Sequence, residues 1–401
     1  MSEWIRMKLS ECCSSIADGD HQPPPKAETG IPFVTISNMT STNQFDFSDT
    51  LFVPQEYYDK LDEKRKARKD DILYSVVGSF GIPVFMKEDK AFVFQRHIAI
   101  LRPDNEKIVP RFLFYTMLTK DFYAKADAAA IGAAQRTVSL TALRNMEICI
   151  PDKIQQSKIV DTLAAYDDLI ENNQKQIKLL EETAQRLYKE WFVDFRFPGY
   201  EKTVIVDGVP EGWHKDAVDS KISLLSGYAF KSSEFVDKGQ YKIVTIKNVK
   251  DGDFDGNNVS LIDEIPSKMP QHCVLEEGDI LLSLTGNVGR VCLVYGDNYL
   301  LNQRVAKLKS DIPCFAYCLF RSKDMFDEMN NLANGAAQQN LSPIRTGKVE
   351  VCFPSEDIIQ RFETTVKPMI DQEIELNKMN VVLAEARDRL LPKLMSGEIE
   401  L

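Results

Sequence analysis

Few residues in this 401-residue chain are grouped in a way that supports catalysis. Pro103-Asp104 followed by Glu106-Lys107 offers the carboxylates and lysine of a nuclease cluster, but not in the Glu-x-Lys order such a site uses. Gly347-Lys348 has the final pair of a phosphate loop, yet Ser342 stands where the preceding glycine belongs. No Asn-Pro-Pro-aromatic or Asp-Pro-Pro-aromatic tetrapeptide is present, and no glycine-rich fingerprint follows a strand in a strand-helix-strand setting, which argues against methyl transfer. The histidines at positions 21, 97, 214 and 272 are scattered, so a histidine-activated nucleophile has no support. His272-Cys273 lacks a second ligand cluster at zinc spacing, and the eight cysteines include no Cys-x-x-Cys pair and in several cases sit inside apolar strand-like runs, so free thiols, buried where those runs are, are expected. The chain reads as one that binds rather than catalyses.

The elements that would position a binding surface come in two copies. Val34-Thr35-Ile36-Ser37-Asn38 returns as Val244-Thr245-Ile246-Lys247-Asn248, and Asp71 to Gly81 returns as Asp279 to Gly289. Gln95-Arg96 returns as Gln303-Arg304, and Gly132-Ala133-Ala134-Gln135 as Gly335-Ala336-Ala337-Gln338. Trp4 opens one copy and Trp213 the other, and each closes on an alternating strand and a proline, at Pro151 and Pro354. Matched blocks in one order mean duplication. Within each copy, short β-rich runs are punctuated by Gly, Pro and Asn, with one helix expected late in the domain, over 111–126 and 314–332. The two Gly-x-x-Gly segments read as tight turns that need positive φ.

After each proline the apolar period changes from two to three and a half. Leu163, Ile170, Ile177, Ala184 and Trp191 fall seven apart, with Tyr166, Leu180 and Leu187 between them and Asn173 as the exception. Phe362, Met369, Leu376, Leu383 and Leu390 do the same. Sustained heptads predict long helices packed along a seam. The first is expected over 154–196, about 65 Å at ~1.5 Å per residue, too long for one small domain to cover. Each helix is therefore expected to pair with the other, the alternative being that each packs on its own domain. Pro368 is expected to break or start the second helix. The fold class is thus α+β, two mixed α/β domains (1–150 and 199–354) separated and followed by long helices (151–198 and 355–401) that pair as an antiparallel coiled coil.

The net charge of −11 is unfavourable for a protein that grips DNA phosphates unaided. The basic run Lys64, Arg65, Lys66, Arg68, Lys69 reads more readily as a solvated helix face than as a phosphate clamp. With no apolar run of membrane-spanning length and no apolar leader at the N-terminus, a cytoplasmic location is expected.

Together the blocks resemble the specificity subunit of type I restriction-modification enzymes over nearly the whole chain. The resemblance rests on 278–286, on Asn302-Gln303-Arg304-Val305-Ala306, on 335–342, and on the helix ends 185–192 and 389–398. It implies two target-recognition domains that each read half of an interrupted double-stranded DNA site, with the helices as an antiparallel spacer. It also implies two methyltransferase subunits that bind S-adenosylmethionine and methylate adenine. Motor-nuclease subunits would use ATP and Mg, and this chain would hold no cofactor. Partners that supply phosphate neutralisation would leave mainly base readout to this chain. An orphan or scaffold DNA-binding module without a nuclease partner, and an enzyme with an unrecognised site, are the alternatives.

Arginine suits guanine, and asparagine or glutamine suits adenine, in the major groove. The candidates are Gln22, Lys26, Asn38, Ser79, Gln95, Arg96 and Arg136 in the first domain. In the second they are Tyr228, Lys231, Lys247, Asn248, Asn287, Gln303, Arg304 and Gln339. Residues common to both copies cannot make the half-sites differ, so Ser79 against Asn287 and Arg136 against Gln339 are the stronger choices. Since 21–26 has no close counterpart in 226–231, an asymmetric target is expected.

Overall fold

The computed structural model of the chain describes residues 4–40, 42–133, 135–257, 259–333 and 339–401, and these pack as two units. The matched block at 335–338, and Ala134 within its first copy, lie outside the described residues. Unit 1 comprises Met1–Asp168 with Ala384–Leu401, and unit 2 comprises Leu169–Leu383. Packing therefore groups each mixed domain with part of both long helices, a different division from the four sequence segments.

In unit 1 the strands are β1 (Ile5–Lys8), β2 (Cys13–Asp18), β3 (Ile31–Val34), β4 (Leu51–Val53), β5 (Ile72–Ser75), β6 (Pro83–Phe85), β7 (Val93–Phe94), β8 (Ile98–Pro103) and β9 (Glu147–Ile150). They form a four-stranded sheet ordered β2-β8-β5-β6, a three-stranded sheet ordered β4-β3-β7, and the antiparallel pair β1-β9. β5 is buried at every residue because it feeds two cores. Ile72 and Tyr74 join the core that contains Phe112, Tyr115 and Phe122, whereas Leu73 joins Val34, Phe92 and Phe94 on the other side. A strand covered on both faces needs an unbroken apolar run, each large side chain contributing about 1.5–3 kcal/mol.

The single helix expected over 111–126 is two helices, α1 (Pro110–Leu118) and α2 (Lys120–Ala129). Thr119 between them adopts extended geometry (ψ 147°), and its hydroxyl accepts the Phe122 N–H. Capping a new helix there replaces the continued backbone ladder. The chain then enters α3 (Lys153–Tyr188).

Unit 2 repeats this topology. Its strands are β10 (Ile205–Val206), β11 (Val209–Pro210), β12 (His214–Ala217), β13 (Ile222–Ser226), β14 (Tyr241–Val244), β15 (Ser260–Ile262), β16 (Ile280–Ser283), β17 (Val291–Leu293), β18 (Tyr299–Leu301), β19 (Val305–Ser310) and β20 (Glu350–Phe353). The orders β13-β19-β16-β17, β15-β14-β18 and β12-β20 match unit 1 strand for strand, with the hairpin β10-β11 added. The second expected late helix is likewise two, α4 (Pro313–Phe320) and α5 (Lys323–Leu332), the latter capped by Ser322. The last helix is α6 (Glu356–Met395).

The long helices pair antiparallel within each unit. In unit 1, Leu394 of α6 shares a core with Ile159 and Leu163 of α3, and Arg387 Nη1 lies 2.7 Å from Asp167 Oδ1. In unit 2, Asn173 Nδ2 donates to Asn380 Oδ1 at 2.9 Å, and farther along Tyr188 meets Phe362 with ring centroids 6.3 Å apart. The heptad exception is thus a buried polar pair across the seam. The helices also pack on their own domains: Phe362, Val366, Ile370 and Ile374 belong to the main core of unit 2.

Two expectations for these helices need correction. The first ends at Tyr188 rather than at 196, in a wide turn over Lys189–Val193. That turn buries the neighbours Trp191 and Phe192 together, Phe192 lying 4.8 Å from Phe362 and 5.9 Å from Trp213. Pro368 neither breaks nor starts α6, and Pro392 lies within it as well. Both prolines are exposed, as are Thr364 and Asp388 four residues before them, so each carbonyl that loses its N–H partner is on a solvated face.

Candidate nucleic-acid interface

In unit 1, main-chain hydrogen bonds stitch three loops together. Asp20 N–H donates to Phe94 O and Arg96 N–H to Asp20 O, both at 2.9 Å. Val76 N–H donates to His97 O, and Gly78 N–H to Arg136 O, also at 2.9 Å. These bonds gather Gln22, Ser79, Gln95, Arg96 and Arg136 in one loop cluster. All but the half-buried Gln95 are exposed.

Unit 2 builds the same cluster. Tyr228 N–H donates to Leu301 O and Gln303 N–H to Tyr228 O at 2.9 Å, while Leu284 N–H donates to Arg304 O at 3.0 Å. Gly286 N–H donates to Gln339 O at 3.2 Å, and Arg304 Nη1 lies 3.4 Å from Asn340 Oδ1. Tyr228, Asn287, Gln303, Arg304 and Gln339 are thereby collected. Arg136 and Gln339 occupy equivalent positions, since each offers its carbonyl to the first glycine of its unit's Gly-x-x-Gly turn. Those turns carry Ser79 and Asn287 outward, and their first glycines have φ of 68° and 74°.

Asn38 and Asn248 do not belong to this surface, which corrects both candidates. Asn38 Oδ1 accepts the Thr35 N–H at 2.9 Å, and its amide donates to Asp46 O and Asp49 O. Asn248 repeats the pattern with Thr245 at 2.8 Å and Asp255 O at 2.8 Å, and is fully buried. A buried amide with both ends satisfied closes a turn and is not on offer to a base. Lys26 and Lys231 are exposed on the segments that follow the first loop. Lys247 is exposed on the turn whose Ile246 faces Gly286.

The electrostatics are mixed. Arg136 pairs with Asp127 and lies over the Phe80 ring at 5.6 Å, so it must exchange partners to contact DNA. Arg96 and burial hold His97 below the usual imidazole value, burial being the larger cause, so near neutrality it adds no positive charge. The basic run is not a helix face, apart from a single 3-10 turn at Glu63–Arg65. Lys66 and Arg68 both bind Glu63, and Arg65 reaches Asp18 and Asp20 at 3.8 and 3.9 Å. Tyr57 and Asp20, which lie against the first cluster, carried no signal in the sequence because they come from separate segments, and Arg65 was legible only as part of the basic run. His97 holds the place that Arg304 holds in unit 2, because strand pairing and main-chain bonds align Gln95-Arg96 with Asn302-Gln303 and not, as the repeat in the sequence reads, with Gln303-Arg304. His272 Nε2 lies 2.9 Å from Ser226 O and Cys273 is buried. Among the described residues no helix is long and apolar enough to cross a membrane.

Each of the two units thus packs a mixed domain on its part of the long helices and presents one polar loop cluster, a binding architecture written twice. The profile of the type I restriction modification DNA specificity domain matches residues 1–182 and 210–380, and the chain belongs to this family. It is a non-catalytic specificity subunit of the type I kind, and catalysis lies in other subunits. The specificity subunit of the type I restriction enzyme HindI of Haemophilus influenzae is 23% identical, covering 100% of both chains. The MjaIX specificity subunit of Methanocaldococcus jannaschii is 26% identical over 73% of this chain and 69% of its own length. The crystal structure of a type I restriction-modification S subunit from M. genitalium has a TM-score of 0.59 at 18% identity, covering 98% of this chain and 96% of that one, which shows the shared fold.

Proposed function

We propose that the chain reads a bipartite, asymmetric double-stranded DNA site in the cytoplasm, one half with each loop cluster, and directs adenine methylation or cleavage by partner subunits. The observation that carries this reading is the pair of loop clusters. Their main-chain stitching is the same, while their outward side chains differ: Ser79 against Asn287 and Arg136 against Gln339. Equal scaffolds with unequal base-reading groups suit two unlike half-sites. The segments 1–150 and 199–354 act as the target-recognition domains, and 151–198 and 355–401 as the spacer. Two methyltransferase subunits supply S-adenosylmethionine chemistry, and motor-nuclease subunits supply ATP- and Mg-dependent translocation. These partners also provide the phosphate contacts that a chain of net charge −11 does not.

Methylome sequencing of the host with and without the gene tests the proposal. One interrupted adenine-methylated motif, with two different halves, should vanish on deletion. Sequence-specific methylation that persists unchanged refutes it.

A further inference from the structure

We propose that Asp20 is the positioning residue of the first loop cluster, its buried carboxylate fixing the Gln22 loop to Tyr57 and Arg65 beside the Gln95-Arg96 turn, and that it acts on one half-site only. This rests on the two-cluster reading above.

The segment 19–22 runs against the 94–96 turn with no room for a side chain at Gly19. An ideal Cβ there would be 2.2 Å from Phe94 O and 2.5 Å from Gln95 O. The next residue, Asp20, has a side chain only 9% exposed. Its Oδ1 accepts the Gln22 N–H at 3.2 Å and lies 3.9 Å from Arg65 Nη1, and its Oδ2 accepts the Tyr57 hydroxyl. Burial, followed by Asp20 itself, pushes that hydroxyl up to about 12, so Tyr57 remains a donor across the neutral range. Arg65 also reaches Asp18, whose other oxygen meets His21 Nε2 at 2.7 Å. Asp20 thus ties three segments at the point where Gln22 leaves for solvent: its carboxylate holds Gln22 to Tyr57 and Arg65, and its main chain holds 94–96.

Unit 2 makes the corresponding main-chain bonds with Tyr228, whose ring packs on Phe230 with centroids 5.2 Å apart. The neighbouring position two residues earlier is Ser226 where unit 1 has Asp18. The second cluster is therefore set by an aromatic contact and the first by a charge. A charged anchor loses its hold on Arg65 when it is neutralised without change of shape.

The test uses the full-length chain co-purified with its methyltransferase, as wild type, Asp20→Asn and Tyr57→Phe. Binding is measured by anisotropy to the selected site and to duplexes with either half scrambled. Asp20→Asn should weaken binding to the intact site by about ten- to a hundredfold, the scale of a lost bidentate base contact. It should also abolish the penalty for scrambling one half while leaving the other penalty intact. Tyr57→Phe should act in the same direction and less. Equal loss at both halves, the sign of a merely weakened fold, overturns the inference, as does discrimination unchanged from wild type. A wild-type complex that prefers no site overturns instead the functional reading.

Discussion

The thermal stability of unit 2 should fall as pH rises through neutrality because of Glu373, and Glu373→Gln should remove that dependence. The side chain is 3% exposed on α6, and its visible partner is the Tyr317 hydroxyl at 3.3 Å. The nearby guanidinium, Arg321, is engaged with Glu181 of α3 at 2.8 Å, with Asp251 3.5 Å from its Nε. Burial first, and then the charge of Glu181, raise the Glu373 carboxyl from its ordinary 4.5 to about 8, against the opposing pull of Arg321 and Tyr317. Below 4.5 the group is protonated in folded and unfolded chains alike. Between 4.5 and 8 the folded protein keeps a proton that the unfolded chain has released. Stability therefore drops by about 1.4 kcal/mol per pH unit, on the order of 5 kcal/mol in all, and levels off above pH 8. For a unit of this size ~1 kcal/mol is about 2–4 °C in Tm. The glutamine keeps an acceptor for Tyr317 and has no proton to lose. Melting should be followed by fluorescence, with Trp191 and Trp213 both in unit 2, at pH 6, 7, 8 and 9. The wild type should lose several degrees more than the variant across that range, and the variant should be the more stable at pH 9. Parallel Tm profiles for the two proteins, or a slope abolished by Glu181→Gln instead, refute the assignment.

A heptad inserted after Gln174 in α3, matched by one after Met379 in α6 to keep the antiparallel register, adds about 10 Å of helix. The methylated motif should then gain about three base pairs of central gap with both halves unchanged; an unchanged gap defeats the spacer role. Asn173→Leu leaves the Asn380 amide without its partner and should cost about 1–3 kcal/mol in urea unfolding. The double replacement with Asn380→Leu should recover most of that loss, and additive losses would show that the pair is not coupled. Arg102→Met strips the buried Asp71 of two 2.9 Å bonds and should cost about 3–5 kcal/mol, read from the denaturation midpoint at constant slope.

Much of the scaffold could be read from residue order because its causes are local or repeated. Alternating Glu147-Ile148-Cys149-Ile150 can only bury one face of a strand, and β9 does so. The heptads at Leu163 and Phe362 require a helical seam, and the duplicated blocks reappear as identical strand orders in the two units. The family, too, was legible in those blocks. The late helices were half legible: their apolar content was plain, but the hydroxyl caps at Thr119 and Ser322 that divide them compete with continued helix by only about 1 kcal/mol.

Which polar residues form the loop clusters was decided by the tertiary structure. Asn38 and Asn248 have the right chemistry for adenine, yet they are turned inward by carbonyls at Asp46 and Asp255. Asp20 has no motif around it, and it matters because Tyr57 and Arg65 arrive from segments 37 or more positions away. The tolerance of Pro368 likewise depends on which helix face meets water. Periodicity and repetition are properties of neighbouring residues, so residue order was enough for the alternating strands, the heptad helices and the doubling, though not for where Thr119 and Ser322 divide the late helices. A hydrogen-bond partner or a solvated face is a property of distances across the fold, and only the packed chain assigned those.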